Sequence, residues 1–338
     1  MNRILFAGDV MLGRGVNEAL AGVSPDKPWG DLLPIFRQVN LSIVNLECAL
    51  TLHPIPWTKT PKIFHFRADP ERVEVLRAAG IRACVLANNH ALDANVEGLV
   101  EMMDRLSLSG ISFAGVGENL EEARRPKILK TDGREPLRVA LISATDNEPA
   151  FCAGKDQPGT NYLPCDLDAA TLDYVGDAVA QARQSGADIV VFSYHCGPNM
   201  VSKPSSAVRR FAQAVIDRGV DVYYGHSAHV FQGVEIYRGK PILFDTGDLL
   251  DDYIVDPLMR NDRSFLFVAS FEGAEFCGIE LVPVRLSYAR VDLAKGEELE
   301  EIMKRMIHAS GELGTHLERV GDRLVASGSG LRPRLRAA

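Results

Sequence analysis

Short apolar runs recur along the chain, and most end in a glycine or a polar turn before a stretch with helical spacing begins. Arg3–Ala7, Leu41–Val44, Ile81–Ala87, Ile111–Ala114, Asp188–Tyr194 and Val220–Tyr224 read as strands. Between them the spacing predicts helices at Gly13–Leu20, Asp31–Gln38, Asp69–Ala79, Ala94–Leu108, Asn119–Arg124, Leu167–Ser185 and Ser205–Arg218. Asp69 is the expected cap of its helix and Pro70 the first helical residue. Val96, Leu99, Val100, Met103 and Leu106 mark the apolar stripe of the helix at Ala94–Leu108. Thr51–Thr60 holds Pro54 and Pro56 and reads as a loop leading into a short strand at Lys62–Phe66. Lys127–Leu129 and Leu137–Ser143 read as strands joined by the turn Asp132-Gly133, and Ala144–Cys165 as a long irregular segment able to shape a substrate wall.

After His229 the pattern changes. Val230–Tyr237, Pro241–Asp245, Phe265–Ser270 and Gly278–Arg285 are short strands without long helices between them, two of their joints being Arg238-Gly239 and Glu272-Gly273. Alternating α/β units followed by an antiparallel section predict an α/β (α+β) fold of two mixed sheets packed face to face with flanking helices. A helix at Lys295–Ala309 and a small strand pair near Thr315–Val325 follow. The expected division is a main domain at 1–290, a helix and strand pair packed on it at 291–326, and a flexible basic tail at 327–338 with Arg332, Arg334 and Arg336.

At 338 residues, 46% apolar and 24% charged, the chain is of ordinary globular composition. A formal net charge of −8 disfavours nucleic acid as the main partner. The six cysteines form no CxxC pair; Cys84 reads as core and Cys196, though next to His195, as a packing residue. No signal peptide and no bilayer-spanning segment is legible, so a cytoplasmic protein, monomeric or homodimeric, is expected.

The candidate chemistry gathers at strand ends, where open α/β folds build their sites. The first strand ends in Gly8-Asp9, the second in Asn45-Leu46-Glu47, and the third apolar run in Asn88-Asn89-His90. Tyr194 is followed by His195, and Tyr224 by Gly225-His226-Ser227-Ala228-His229. Each has a plainer use alone: Asp9 caps a helix, an Asn serves a turn, a single histidine sits satisfied in a core. Glu47 is harder to explain so, because a buried carboxylate needs a partner. Together two carboxylates, an amide and four imidazoles suit a two-metal hydrolytic centre, with Mn, Zn or Fe favoured over Mg by the histidines. Asp248, after the glycine of Asp245-Thr246-Gly247-Asp248, is expected near the metals. Arg14 and Lys59 are candidates for an anionic oxygen of the substrate. Arg260, in Arg260-Asn261-Asp262-Arg263, reads as a wall, an internal ion-pair network or a substrate clamp. Gly115-Val116-Gly117 is too little of a dinucleotide fingerprint to imply a nucleotide.

In combination, Gly8-Asp9-Val10-Met11, Asn45-Leu46-Glu47, Asn88-Asn89-His90 with Asp93, Gly115 to Asn119, His195-Cys196-Gly197 and Gly225-His226 with His229 resemble the CapA family. These are the poly-γ-glutamate capsule-synthesis proteins of the calcineurin-like metallophosphatase superfamily. The resemblance runs from Ile4 to about Phe271. It implies a metallophosphatase-like four-layer α/β/β/α sandwich with a dinuclear centre at the sheet edges. Asp9 and His229 would hold one ion, Asn89, His195 and His226 the other, and Glu47 would bridge them. His90 would be the acid at the leaving group or a stabiliser of the transferring phosphoryl oxygen. Met11 stands where the superfamily usually has a histidine, which leaves one ion short of ligands unless Asp248 or water completes it. Cys196 and Asn199 stand where many relatives carry Trp and Glu, which makes Asn199 a candidate for substrate binding. Thr246-Gly247-Asp248 replaces the usual Leu-Gly-Asn. Capsule-synthesis members usually carry an N-terminal membrane anchor; none is legible in this sequence, and a soluble branch is the expectation.

The resulting expectation is a metal-dependent hydrolase with His90, Asp9 and Asp248 as catalytic candidates and a small phosphoester as substrate. Hydrolysis of an amide or γ-glutamyl peptide is the alternative enzyme reading. Proton transfer at a peptide α-carbon, an epimerase chemistry that consumes no water, is another. A non-catalytic protein of polymer biosynthesis is the reading from a different class; against it, burying six intact candidate ligands without use costs stability.

Overall fold

The computed structural model describes residues 1–328; the tail arginines expected at 332, 334 and 336 lie outside the described residues. Two mixed sheets organise the chain. The larger runs, in spatial order, Glu318–Val320, Arg323–Ser327, Glu275–Ser287, Arg263–Glu272, Asn2–Val10, Leu41–Leu46, Ala83–Val85 and Ser112–Ala114. Asp248–Leu250 adds in parallel beside the end of Asn2–Val10, and Arg290–Leu293 pairs with Glu275–Ser287. The smaller sheet runs Val234–Tyr237, Lys240–Leu243, Val222–His226, Ile189–His195, Arg138–Thr145 and Lys127–Lys130.

Strand alternation sorts the side chains into three apolar layers. Ile4, Phe6, Ile43 and Val85 of the large sheet meet Val139, Leu141, Val191, Val222 and Tyr224 of the small sheet in one core. The opposite face of the large sheet, through Leu5, Ala7, Val44 and Cys84, packs on Val16, Val73, Leu76, Leu99 and Leu106 of its helices. The opposite face of the small sheet, through Ala140, Ile142, Val190 and Phe192, packs on Val175, Ala178, Phe211 and Val215. The order helix, sheet, sheet, helix is therefore present, as the resemblance implies. The helix Gly296–Glu312 does not join an outer layer. Its Leu299, Ile302, Met303 and Met306 enter the core between the sheets and close one end of it.

Two local expectations fail. Lys62–Phe66 is not a strand: Ile63 and Phe64 are exposed, and the Phe66 amide donates to the Asp93 carboxylate at 2.6 Å instead of a neighbouring strand. Only Arg67–Ala68 pairs, with Ala49–Leu50. Asp69 occupies the cap position with extended backbone, but its carboxylate makes no cap bond and accepts from Asn17 Nδ2 at 3.2 Å. The first turn there is the 3-10 segment Pro70–Arg72, which leads into the helix Val73–Ala78.

Candidate metal centre

The polar strand ends meet where the carboxyl ends of the parallel strands in both sheets face one another. Asn2–Val10 delivers Asp9 through an irregularity in its register at Asp9/Val10. The backbone there is locked by Asp9 N–H donating to Gly247 O at 2.9 Å. Only glycine fits at position 8, since a Cβ would lie 1.8 Å from Gly247 O. His195 and His226 are register partners at the ends of adjacent parallel strands. The turn that follows holds Ser227 at φ 128° and His229 at φ 58°, left-handed conformations that side chains adopt at a cost. Asp245 braces this turn by accepting from the amides of Ala228 and Gly247 at 2.7 and 2.9 Å.

Two groups of donor atoms result, and Asp9 belongs to both. In one, Asp9, His195 and His226 bring ligand atoms within 4.8 Å of one another; in the other, Asp9, Glu47, His229 and Asp248 do. His229 Nδ1 lies 2.9 Å from Asp248 Oδ1, 3.4 Å from Asp9 Oδ2 and 3.8 Å from Glu47 Oε2. Glu47 Oε1 lies 3.9 Å from His195 Nε2 and 4.0 Å from His90 Nε2. Glu47 and Asp9 thus both face the two groups. A row of amides orients Asp9: Asn45 Nδ2 donates to Asp9 Oδ1 at 2.8 Å, and Asn88 Nδ2 donates to Asn45 Oδ1 at 3.0 Å.

His90 is held separately. Its Nδ1 meets Asp93 Oδ2 at 2.5 Å, and its ring stacks on Phe66 with centroids 3.8 Å apart. Lys62 reaches Asp93 Oδ1 at 3.4 Å and Glu148 at 3.6 Å, and donates to the Asn89 carbonyl at 2.6 Å. Sequence reasoning passed over Lys62 as a residue of an expected strand; its only signal was proximity to the proline-bearing loop.

Burial and charge act against each other here. Burial pushes the Glu47 carboxyl well up, and the neighbouring Asp9 adds to it. Burial also raises Asp248 well above the carboxylate range, against the pull of His229. For Asp9 burial is outweighed by His229 and then by the His226 and His195 rings, so its carboxyl stays below the usual range. Burial lowers His195 and brings His226 down to about 4. His229 moves the other way, because the carboxylates of Asp248 and Glu47 overcome its burial.

The donor set fits divalent cations. Asp9 Oδ2, both oxygens of Glu47, Asn89 Oδ1 and Asp248 Oδ2 are buried and have no hydrogen-bond partner. Orphaned carboxylate oxygens are costly, and several facing the same imidazoles call for positive charge between them. Asp9, Glu47, His229 and Asp248 would hold one ion and Asp9, His195 and His226 the other; the Asn89 amide oxygen is buried and unpartnered, which leaves it free for the role the resemblance implies. Met11 contributes no ligand: it is fully buried, and its thioether accepts from Gly13 N–H at 3.1 Å. Asp248, expected to complete a ligand set in its place, lies with Asp9, Glu47 and His229.

The remaining candidates are scattered. Arg14 is exposed, paired with Asp252 at 3.4 Å and placed over Phe66 at 5.3 Å and Tyr253 at 6.0 Å, the rings that pack on His90 and His229. Lys59 is exposed and lies 5.1 Å over the Trp57 ring. Asn199 is exposed on the turn after His195. Arg260 is engaged by Asp262 at 2.7 Å and Glu298 at 3.7 Å, the ion-pair network among its three readings.

Residues 3–253 match the family described as bacterial capsule synthesis protein PGA_cap. The chain belongs to this family. It is 28% identical to a probable polyglutamine synthesis accessory protein of Mycobacterium tuberculosis, over 95% of this chain and 94% of that one. It is also 28% identical to the PGA biosynthesis protein CapA of Bacillus subtilis, over 73% of this chain and 62% of that one. The capsule biosynthesis protein CapA of Bacillus anthracis is 28% identical over 73% and 59%. A crystal structure of a Thermus thermophilus protein aligns at a TM-score of 0.42 and 13% identity, over 78% of this chain and 93% of that one, too loosely to argue from. Among the described residues no helix is long and apolar enough to cross a membrane.

Proposed function

We propose that the chain is a hydrolase dependent on two divalent ions, acting on phosphoesters. The observation that carries this reading is the set of buried, unpartnered oxygens of Asp9, Glu47 and Asp248 beside His195, His226 and His229. Ions bound there supply charge that polarises the scissile phosphoryl group and activates water.

The protein's own groups supply the rest. With Nδ1 committed to Asp93, His90 exchanges protons through Nε2, the nitrogen turned toward Glu47, where it serves the leaving oxygen. Phe66 fixes the plane of that ring, and Lys62 holds the Asn89 carbonyl and the Asp93 carboxylate in place. Arg14, exposed beside the Phe66 and Tyr253 rings, can exchange Asp252 for a phosphoryl oxygen of an anionic substrate. Phe66 and Tyr253, 5.7 Å apart and packed against His90 and His229, shield those imidazoles from water.

The test is metal content measured together with hydrolysis of bis(p-nitrophenyl) phosphate, with and without Mn²⁺, for wild type and His90→Ala. Metal-dependent turnover that His90→Ala loses while keeping its metal supports the reading. A chain that binds no metal and turns nothing over ends it. The names of the relatives, PGA biosynthesis and polyglutamine synthesis, favour a second reading: the same centre cleaving an amide or γ-glutamyl bond. Bound metal without phosphodiester turnover, but with peptide fragments released from a γ-glutamyl chain, selects it.

A further inference from the structure

We infer that Asp146, Cys165 and Cys196 form a second site, separate from the candidate metal centre, for a thiophilic divalent cation of the zinc and cadmium class. Their ligand atoms, two thiol sulfurs and a carboxylate oxygen, lie within 4.8 Å of one another. Three different segments bring them together. Asp146 follows the strand Arg138–Thr145, and Cys196 follows the adjacent strand Ile189–His195. Cys165 returns on the irregular segment, held by Leu163 N–H donating to Thr145 O at 2.8 Å and by the Tyr194 hydroxyl donating to Leu163 O at 2.8 Å.

The donor chemistry separates this site from the other. Asp9, Glu47, Asp248 and the three histidines offer oxygen and imidazole nitrogen; this site offers two sulfurs, which select softer ions. Both cysteines are free thiols, and three protein ligands leave a fourth position for water. Asp146 and Cys165 are only half-buried, so the ion has a path from solvent. Binding releases the two thiol protons to solvent and forms two metal–sulfur bonds.

The site is also tied to the neighbouring histidines. Cys196 N–H donates to His226 O at 3.1 Å, and Asp146 N–H donates to His195 O at 3.3 Å. An ion held by Cys196 and Asp146 braces the backbone that carries both imidazoles.

The test is titration of the reduced, chelator-stripped full chain with Cd²⁺. A thiolate-to-cadmium ultraviolet band saturating at one ion per chain is expected. It survives in Glu47→Gln, which leaves every sulfur in place, and is lost or halved in Cys165→Ser. In wild type, Cd²⁺ protects Cys165 and Cys196 from iodoacetamide while Cys152 and Cys277 react unchanged, read by peptide mapping; this needs no variant to fold. The proposal is overturned by absence of the band, by a band indifferent to Cys165→Ser, by unprotected thiols, or by a Cys165–Cys196 disulfide that persists in the reduced chain.

Discussion

His195 and His226 face each other nitrogen to nitrogen, Nδ1 to Nδ1 at 2.8 Å, at paired positions of adjacent parallel strands. The other nitrogen of His226 lies 2.8 Å from Ser193 Oγ. Two neutral rings can meet this way only with a proton between them or a cation shared by both. The strand register alone creates this geometry, since a slip by one residue would turn one ring to the far side of the sheet.

This pair carries a pH signature in the metal-free chain. Burial takes His226 from 6.5 to about 4, so the unfolded chain binds more protons between those values. That contribution to stability is complete above the unfolded value and is lost as pH falls through the window, on the order of 3 kcal/mol. The raised carboxylates, including Asp245 and Asp251 at about 7, act with the opposite sign. The clean readout is therefore a difference. Denaturant unfolding in chelator should show His226→Gln gaining on wild type as pH drops from neutral toward 4. Parallel curves would sink the assignment.

Glu47 gives the opposite trend. Burial and Asp9 raise its folded pKa, so its contribution is present below the ordinary carboxylate value and is lost as pH rises through the raised one. In chelator, Glu47→Gln should unfold a few degrees above wild type at neutral pH. With Mn²⁺ the order should reverse, because the variant exchanges one carboxylate oxygen and the negative charge for an amide NH2 that cannot ligate. Thermal unfolding with and without metal checks both arms.

Much of this centre was legible because a parallel strand buried on both faces is a continuous apolar run, and its abrupt polar end is conspicuous. Asp9, Glu47, His90, His195 and His226 all follow such runs. Asn88 and Asn89 show the limit of that reading. Side by side in sequence, they divide the work, Asn88 bonding strand to strand through Asn45 and Leu46 while Asn89 leaves its oxygen unpartnered. Lys62 was illegible, since its burial comes from Asp93 and Glu148, distant in sequence and on other segments. Lys59, three residues earlier, has the same local signal and an exposed position. The sharing of Asp9 between both groups of ligands was equally hidden, because no spacing reports how two sheets face each other.

The dyad His90–Asp93 should separate catalysis from metal binding. Asp93→Asn removes the carboxylate charge beside Nδ1 and lets an NH2 face it, which favours the other tautomer of the ring. We expect kcat to fall about 10²–10⁴-fold with metal content unchanged. Arg14→Ala should instead raise KM and leave metal content intact, while Arg260→Ala should lower thermal stability alone, given its partners Asp262 and Glu298. Equal losses of kcat in all three variants would contradict this division of roles.

Gly8 offers a test of how the fold makes the site. A Cβ at this position would lie 1.8 Å from Gly247 O and 2.6 Å from Gly247 C, both backbone atoms with nowhere to move. Relief requires the strand ends to part, which breaks the Asp9-to-Gly247 hydrogen bond and shifts Asp9 away from Asp248, its register partner. Gly8→Ala should therefore lower stability by several kcal/mol, as overpacking with backbone strain does, and lower metal stoichiometry with it. Gly22→Ala is the control. Its φ of 72° is left-handed but open space surrounds it, so the cost is on the order of 1 kcal/mol, with metal binding kept. If Gly8→Ala behaved like Gly22→Ala, the close approach of the two strand ends would not be what holds Asp9 in place.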